Sequence, residues 1–97
     1  ATSNQNRKEQ KRREAELRQQ TAPFRKKIVQ LEDKMDKYSQ QLVAIENQLS
    51  DSELYNAENK EKLTALLNEQ VTVKKSLEIV EADWMIAQET LEGMLNL

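Results

Sequence analysis

Residues 24–49 read FRKKIVQLEDKMDKYSQQLVAIENQL, and residues 63–94 read LTALLNEQVTVKKSLEIVEADWMIAQETLEGM. In both stretches a series of residues at alternating steps of four and three is apolar, apart from one glutamine. Such spacing keeps a narrow stripe on one side of a helix and is typical of a coiled coil. We call this stripe the seam. Its members are Phe24, Ile28, Leu31, Met35, Tyr38, Leu42, Ile45 and Leu49, then Leu63, Leu66, Gln70, Val73, Leu77, Val80, Trp84, Ala87, Leu91 and Met94.

The composition predicts an all-α fold. One glycine and one proline leave little material for the tight turns of a β-protein, and charged residues make up 33% of the chain. The first six residues, ATSNQN, are small and polar, so residues 1–6 are expected to be a disordered linker. The coiled-coil domain is expected over 7–97, with helices over about 7–20, 22–49 and 57–95.

Two helix boundaries follow from local sequence. Proline is tolerated in the first turn of a helix and disrupts a helix interior, so we expect a break or sharp kink at Pro23, with Thr21 as the N-cap. The alternative is one long helix kinked at Pro23. Residues 50–56 favour caps and turns and are too short to connect parallel helices, which predicts an antiparallel arrangement. Asn56 is the expected cap of the third helix.

The phase of the two repeats predicts which seam residues face each other. A register in which facing residue numbers sum to 108 places Ile28 opposite Val80 and Tyr38 opposite Gln70, where a hydroxyl meets an amide. The third helix then extends past the second by about a dozen residues, and helix 7–20 is expected to cover that extension. The predicted fold is an antiparallel two-helix coiled-coil hairpin with a short additional N-terminal helix at its open end.

Several function classes are excluded by what the chain lacks. Without cysteine or histidine there is no thiol nucleophile, no histidine base and no zinc site of the usual ligands. A phosphate-binding loop needs several glycines, and the chain has only Gly93. We therefore expect no catalytic residue, metal site or cofactor in this domain. No apolar stretch approaches the roughly 20 residues that span a bilayer, so we expect a cytoplasmic protein.

Charge is distributed unevenly along the chain. Residues 7–27, the basic segment, hold nine basic and three acidic side chains, a net charge of +6, whereas residues 28–97 hold six and fourteen, a net charge of −8. Lysine and arginine neutralise phosphates without needing a particular spacing. The candidate nucleic-acid-binding residues are Arg7, Lys8, Lys11, Arg12, Arg13, Arg18, Arg25, Lys26 and Lys27. Two alternatives remain open: a solvated helix face, or neutralisation by the acidic residues 76–97, which the register places beside this segment.

The aromatic residues favour packing over base stacking. Phe24, Tyr38 and Trp84 are seam residues, so their rings are expected in the core. Leu54 and Tyr55 are expected to cover the end of the seam at the turn, where an exposed tip is an alternative docking point for a partner.

Three short motifs resemble one protein family. Residues 8–18, KEQKRREAELR, resemble the segment that follows the second nucleotide-binding domain in ABC-F ATPases. Residues 49–55, LSDSELY, resemble the hairpin tip of that family, often L-x-D-P-x-L-Y, with Ser52 in place of the frequent proline. Trp84 followed by QETLE at 88–92 resembles the family's C-terminal end. The resemblance covers about residues 7–95.

The resemblance implies the C-terminal coiled-coil domain of a larger cytoplasmic ABC-type ATP-binding protein, whose two ATPase domains, outside this chain, bind ATP and Mg²⁺. ABC-F proteins act on translating ribosomes, and in one branch the C-terminal coiled coil is associated with DNA binding. The leading hypothesis is a non-catalytic accessory domain that binds nucleic acid, as DNA or as ribosomal RNA, through the basic segment.

Two other hypotheses stand beside the leading one. The first is a structural module that positions or regulates the adjoining ATPase domains without contacting nucleic acid. The second is a self-associating coiled coil. Because the predicted seam is already filled within one chain, we expect a monomer.

Overall fold

The computed structural model describes residues 2–96, which form two long helices and a short connection. Helix α1 spans Thr2–Leu49, 48 residues, and helix α2 spans Lys60–Leu95, 36 residues. Between them lie two 3-10 helices, Ser52–Tyr55 and Ala57–Asn59. Residues 2–96 contain no β-strand. The all-α class is therefore confirmed, but the described residues contain two α-helices where the sequence predicted three.

The two α-helices lie side by side in a thin rod of 84 × 16 × 15 Å. At 1.5 Å per residue they would together measure about 126 Å end to end, which the rod cannot hold. They share one apolar cluster, in which Ile28 and Leu31 of α1 are buried together with Val80 and Ala87 of α2. Met35, Tyr38, Trp84 and Leu91 pack against it.

Burial follows the predicted seam along both helices. Every seam residue named from the sequence is buried or half-buried, and most residues between them are exposed. Ile45, for example, is only 3% exposed, whereas Val43 on the same helix is 56% exposed. Tyr38 and Gln70 are both half-buried, but no hydrogen bond between their side chains is found in the part of the chain that the structure describes. The apolar pattern was thus predicted correctly, while the placement of Tyr38 opposite Gln70 stays a prediction.

The predicted break at Pro23 is wrong, because α1 continues through this residue. Proline lacks the N–H that would bond the carbonyl of Gln19, and its ring crowds the preceding turn. The carbonyl of the adjacent Arg18 accepts a hydrogen bond from Arg25 Nη2 at 3.0 Å and one from Thr21 Oγ1 at 3.3 Å. Both side-chain bonds reach the carbonyl next to the one that proline leaves without its donor, so they do not replace the lost bond at Gln19.

Thr21 belongs to the seam, so its predicted role as an N-cap is also wrong. Its exposed fraction is 0%, and it lies four residues after Leu17 and three before Phe24, which continues the four–three repeat. In the predicted register it faces Ala87, whose exposed fraction is 4%. The full burial of the small Thr21 side chain shows that seam packing continues up to the residues next to Pro23.

The boundaries predicted for the N-terminal region change accordingly. Residues 2–6, expected to be a disordered linker, form the start of α1, while the same expectation for Ala1 lies outside the described residues. The separate helix over 7–20 does not exist, and the helix expected to begin at 22 begins at Thr2. The composition of residues 7–20 favours helix, so once Pro23 is tolerated nothing in the sequence interrupts α1 from Arg7 to Leu49, and residues 2–6 extend the same helix.

The connection between the helices contains no glycine, and no described residue has a positive φ. Asp51 caps the first 3-10 helix by accepting the Glu53 N–H at 3.1 Å. Tyr55 donates its hydroxyl to the Leu49 carbonyl at 2.7 Å, and Leu54 is buried at the end of the seam with 4% exposure. Polar side chains thus bond the carbonyls that a glycine-based cap would otherwise satisfy.

The start of α2 lies later than predicted. Asn56 makes no side-chain cap hydrogen bond, and the three residues after it form the second 3-10 helix. Asn59 precedes α2 and donates its side-chain amide to the Glu53 carbonyl at 2.9 Å. That bond ties the beginning of α2 to the turn.

Truncating a seam residue should destabilise the protein strongly. We expect Ile45→Ala to lower the free energy of unfolding by about 2–5 kcal/mol, because it leaves a cavity in the buried seam. Val43→Ala, at an exposed position of the same helix, should change it by less than about 0.5 kcal/mol. Urea denaturation followed by circular dichroism measures both variants, and equal losses would contradict the burial pattern.

Replacing the proline tests the continuity of α1. We expect Pro23→Ala to raise the free energy of unfolding by up to about 3 kcal/mol, because an N–H returns to the Gln19 carbonyl and the ring clash disappears. Thermal unfolding monitored at 222 nm gives the change, with Val29→Ala as an exposed control on the same helix. If Pro23 stood in the first turn of a separate helix, its removal would leave stability unchanged or lower.

Candidate nucleic-acid interface

All nine candidate residues of the basic segment lie on α1, and all nine are exposed. Because the helix is continuous, they follow a single axis over about 30 Å from Arg7 to Lys27. The sequence therefore identified a set of basic residues that are accessible to solvent. The surroundings of these basic residues differ along α1, and the difference divides the set into two groups of four, with Arg13 between them where α2 ends.

Helix α2 ends beside the middle of the basic segment. A shallow groove marks this point, and its lining residues are Arg13, Glu16, Leu17 and Gln20 of α1 with Met94 and Leu95 of α2. Since α2 ends at Leu95, residues 2–12 of α1 project beyond it. We call residues 2–12 the overhang. The groove nearest the rod's end has only α1 residues in its wall, Asn6, Glu9, Gln10 and Arg13, which agrees with α2 stopping short of it.

The overhang has no apolar surface with which to bind another helix. Continuing the seam spacing back from Leu17 leads to Glu14, Gln10 and Arg7, none of which is apolar. Every overhang side chain that the structure describes is exposed. Seam burial, the usual source of coiled-coil affinity, ends at Leu17. The overhang therefore offers charge alone.

Four bases and one acid give the overhang a net charge of +3. Arg7 and Lys11 are four residues apart on one side of the helix, and Lys8 and Arg12 are four apart on the next. Like charges at this spacing destabilise a helix by about 0.2–0.5 kcal/mol per pair. A bound polyanion would remove that repulsion, so its binding and the helicity of the overhang should reinforce each other.

The other group of bases lies where α2 runs alongside α1. Arg18, Arg25, Lys26 and Lys27 precede Ile28, which packs with Val80. The neighbouring part of α2, residues 76–96, carries no base and five acids, Glu78, Glu81, Asp83, Glu89 and Glu92. Arg25 also uses its guanidinium to bond the Arg18 carbonyl. The acidic residues of α2 thus partly neutralise the positive charge of this group, and they lie too far along the rod to neutralise that of the overhang.

The aromatic residues lie away from the overhang, as the seam pattern predicted. Phe24, Tyr38 and Trp84 are half-buried, and Trp84 packs against the apolar cluster with its indole N–H buried and unpartnered. Tyr55 is 60% exposed at the opposite end of the rod, so of the two turn residues only Leu54 covers the seam. Aromatic stacking on nucleic-acid bases therefore plays no part at the overhang, and contact with nucleic acid there would rest on charge.

Other kinds of site find no support in residues 2–96. They contain no group of three or more histidine, cysteine, aspartate or glutamate side chains that could hold a metal ion. Neither α1 nor α2 includes a segment long and apolar enough to cross a membrane.

The overhang itself was missed by sequence reasoning, although its residues were named. The spacing Leu17–Thr21–Phe24 already continued the repeat across Pro23, which was the available signal. A threonine at a seam position and a proline two residues later concealed it.

Comparison with known proteins relates the chain to part of a larger protein. It is 75% identical over 92 residues to the probable ATP-binding protein YheS of Haemophilus influenzae, a match that covers 95% of this chain and 14% of that protein. It is 54% identical over 95 residues to YheS of Escherichia coli K12, covering 98% of this chain and 15% of that protein. The chain thus spans about one-seventh of the length of these relatives. No family model and no solved structure matches it.

Hydrogen exchange should separate the overhang from the paired part of α1. We expect backbone amides of residues 4–12 to exchange more than about tenfold faster than those of residues 28–45, because a short helix without tertiary contacts is marginal in water. Mass spectrometry of peptic fragments measures the gradient at low salt. Uniform protection from residue 4 to residue 45 would contradict a solvated overhang.

Proposed function

Because the chain is homologous to one segment of the YheS ATP-binding proteins, we propose that it is a non-catalytic accessory domain of a cytoplasmic ABC-F ATPase and that it binds nucleic acid. The homology supports the accessory role, since the chain covers only 14–15% of relatives named for ATP binding. ATP and Mg²⁺ then belong to the remainder of the protein, and this domain supplies contact with a polyanion.

The proposal includes the arrangement of the two helices as an antiparallel coiled-coil hairpin. Supporting it, Ile28 and Leu31 of α1 share a cluster with Val80 and Ala87 of α2, although ten residues alone separate the helices at Leu49 and Lys60. The groove that joins Leu17 to Met94 lies still further from the connection. In such a hairpin both ends of the described chain lie at one end of the rod, with the turn at the other.

The overhang is the observation that carries nucleic-acid binding. Arg7, Lys8, Lys11 and Arg12 are exposed, have no acidic α2 surface beside them, and project from one end of a rod. A single helix about 10–12 Å wide, with lysine and arginine side chains around it, can enter or lie along a groove of a nucleic-acid duplex. The neighbouring Arg13 and Arg18 extend the basic surface toward α2.

Binding would derive its free energy mainly from release of counterions. Four bases that neutralise four phosphates of a duplex should give a slope of about −3.6 for the logarithm of the binding constant against the logarithm of the salt concentration. Phosphate contacts carry no sequence information by themselves. DNA and ribosomal RNA are therefore bound by the same chemistry, and the salt-resolved comparison below distinguishes them.

Reversing the overhang charges should abolish most of the affinity. We expect the variant Arg7→Glu, Lys8→Glu, Lys11→Glu, Arg12→Glu to bind duplex DNA and ribosomal RNA more than about tenfold more weakly at 50 mM salt, with a shallower salt slope. The matched control reverses four exposed bases of α2, Lys60, Lys62, Lys74 and Lys75, so its net charge is the same. Fluorescence anisotropy with labelled nucleic acids measures both.

The control makes the result specific to position. Equal weakening in the two variants would mean that net charge alone acts, and the proposed interface would be wrong. Absence of binding by the unaltered protein at low salt would contradict nucleic-acid binding altogether. Tighter binding to one of the two nucleic acids at equal salt identifies the preferred partner.

A further inference from the structure

Helix α2 carries an apolar row on the side that faces away from α1. Ile79 and Ile86 are 63% and 62% exposed, the two most exposed of the large apolar residues described. Ala82 lies between them at steps of three and four, and Gly93 lies on the same side seven residues after Ile86, with Glu89 and Thr90 on the intervening turn. We call Ile79, Ala82, Ile86 and Gly93 the outer face. The seam residues Val80, Trp84 and Ala87 point to α1 instead.

The outer face is not explained by packing within the chain. Ile79, Ala82 and Ile86 form an exposed apolar row on a surface that is otherwise mostly charged or polar, and such a row typically marks an interaction site. A Cβ atom added at Gly93 would meet no atom within 4 Å, so no contact inside the chain requires a glycine there. Ala82 and Gly93 would both permit another surface to approach the helix closely.

The charges around the outer face determine what can cover it. Residues 76–96 contain five acidic residues and no basic one. Two copies of the chain that met through this face would bring ten carboxylates together, which opposes self-association. The complementary partner presents apolar side chains with lysine or arginine around them.

Position in the rod indicates where such a partner comes from. The contact of Leu17 with the groove at Met94 and Leu95 places both ends of the described chain at the end of the rod that holds the outer face. The relatives are about seven times longer than the chain, since it covers 14–15% of them. A continuation from either end would therefore start on the same side of the molecule as the outer face and remain close to it.

We propose that the outer face docks onto the remainder of the longer polypeptide, on an apolar surface bordered by basic side chains. The docking holds the open end of the rod against that body and leaves the overhang and the turn free. It goes beyond nucleic-acid binding, because it uses a different face of a different helix, and either proposal can fail without the other.

Side-chain footprinting of the full-length protein tests the docking directly. Hydroxyl radicals label exposed side chains, and the labelling of each residue is normalised to that in the urea-unfolded protein. We expect Ile79 and Ile86 to lose most of their labelling, while Val43, which is 56% exposed and lies away from the outer face, keeps its own. Labelling of Ile79 and Ile86 as strong as that of Val43 would overturn the proposal.

A charge variant tests the consequence of docking. In the full-length protein, Ile79→Glu with Ile86→Glu should release the rod, so small-angle X-ray scattering should record a larger maximum dimension, with Val43→Glu as the unchanged control. Both glutamates lie on exposed positions, so circular dichroism should show unchanged helicity. An unchanged maximum dimension would overturn the proposal. It would also be overturned if the protection of Ile79 and Ile86 rose with protein concentration while sedimentation showed a dimer, because a second copy of the chain would then cover the outer face.

Discussion

Continuous seam packing across Pro23 is the constraint on which the rest of the molecule depends. A proline inside a helix costs about 3 kcal/mol, a large amount for a rod with so thin a core. The structure offsets this cost by continuing the seam through Thr21, which is fully buried two residues before the proline. If the helix broke here, the basic residues before Pro23 could fold back onto α2. Because it does not break, the basic residues of the overhang project past the end of α2.

The repeating pattern of apolar residues predicted this fold better than the local signals of single residues did. The four–three repeat identified all the seam residues from Phe24 to Leu49 and from Leu63 to Met94, since burial of a stripe depends on spacing that is visible in one dimension. The prediction at Pro23 was wrong because it weighed a local propensity without the tertiary packing that overrides it. Asn56 was assigned as a cap on residue type, whereas the order of hydrogen bonds in the turn depends on Tyr55 and Asn59 reaching back to carbonyls.

The same division applies to the site. Counting charges identified the nine bases, and all of them are exposed. The residues that surround them could not be predicted in the same way, because they depend on where α2 ends relative to α1. The predicted register placed the acidic residues of α2 beside the whole basic segment. Leu95 lies near Arg13, so α2 runs beside α1 only from Arg13 onward. Arg7, Lys8, Lys11 and Arg12 lie before that point, and the groove around Asn6 and Glu9 has no α2 residue in its wall.

The separation of charge along the rod has a consequence for how the molecule approaches a partner. One end carries the overhang with its net charge of +3, while residues 50–62 at the turn hold four acids and two bases, a net charge of −2. Opposite charges at the two ends of an 84 Å rod form a large electric dipole along its axis. In the field of a polyanion that dipole experiences a torque which turns the rod end-on. Under the proposed function, the rod would approach its polyanion with Arg7 and its neighbours leading and Tyr55 directed outward, into the surrounding solution.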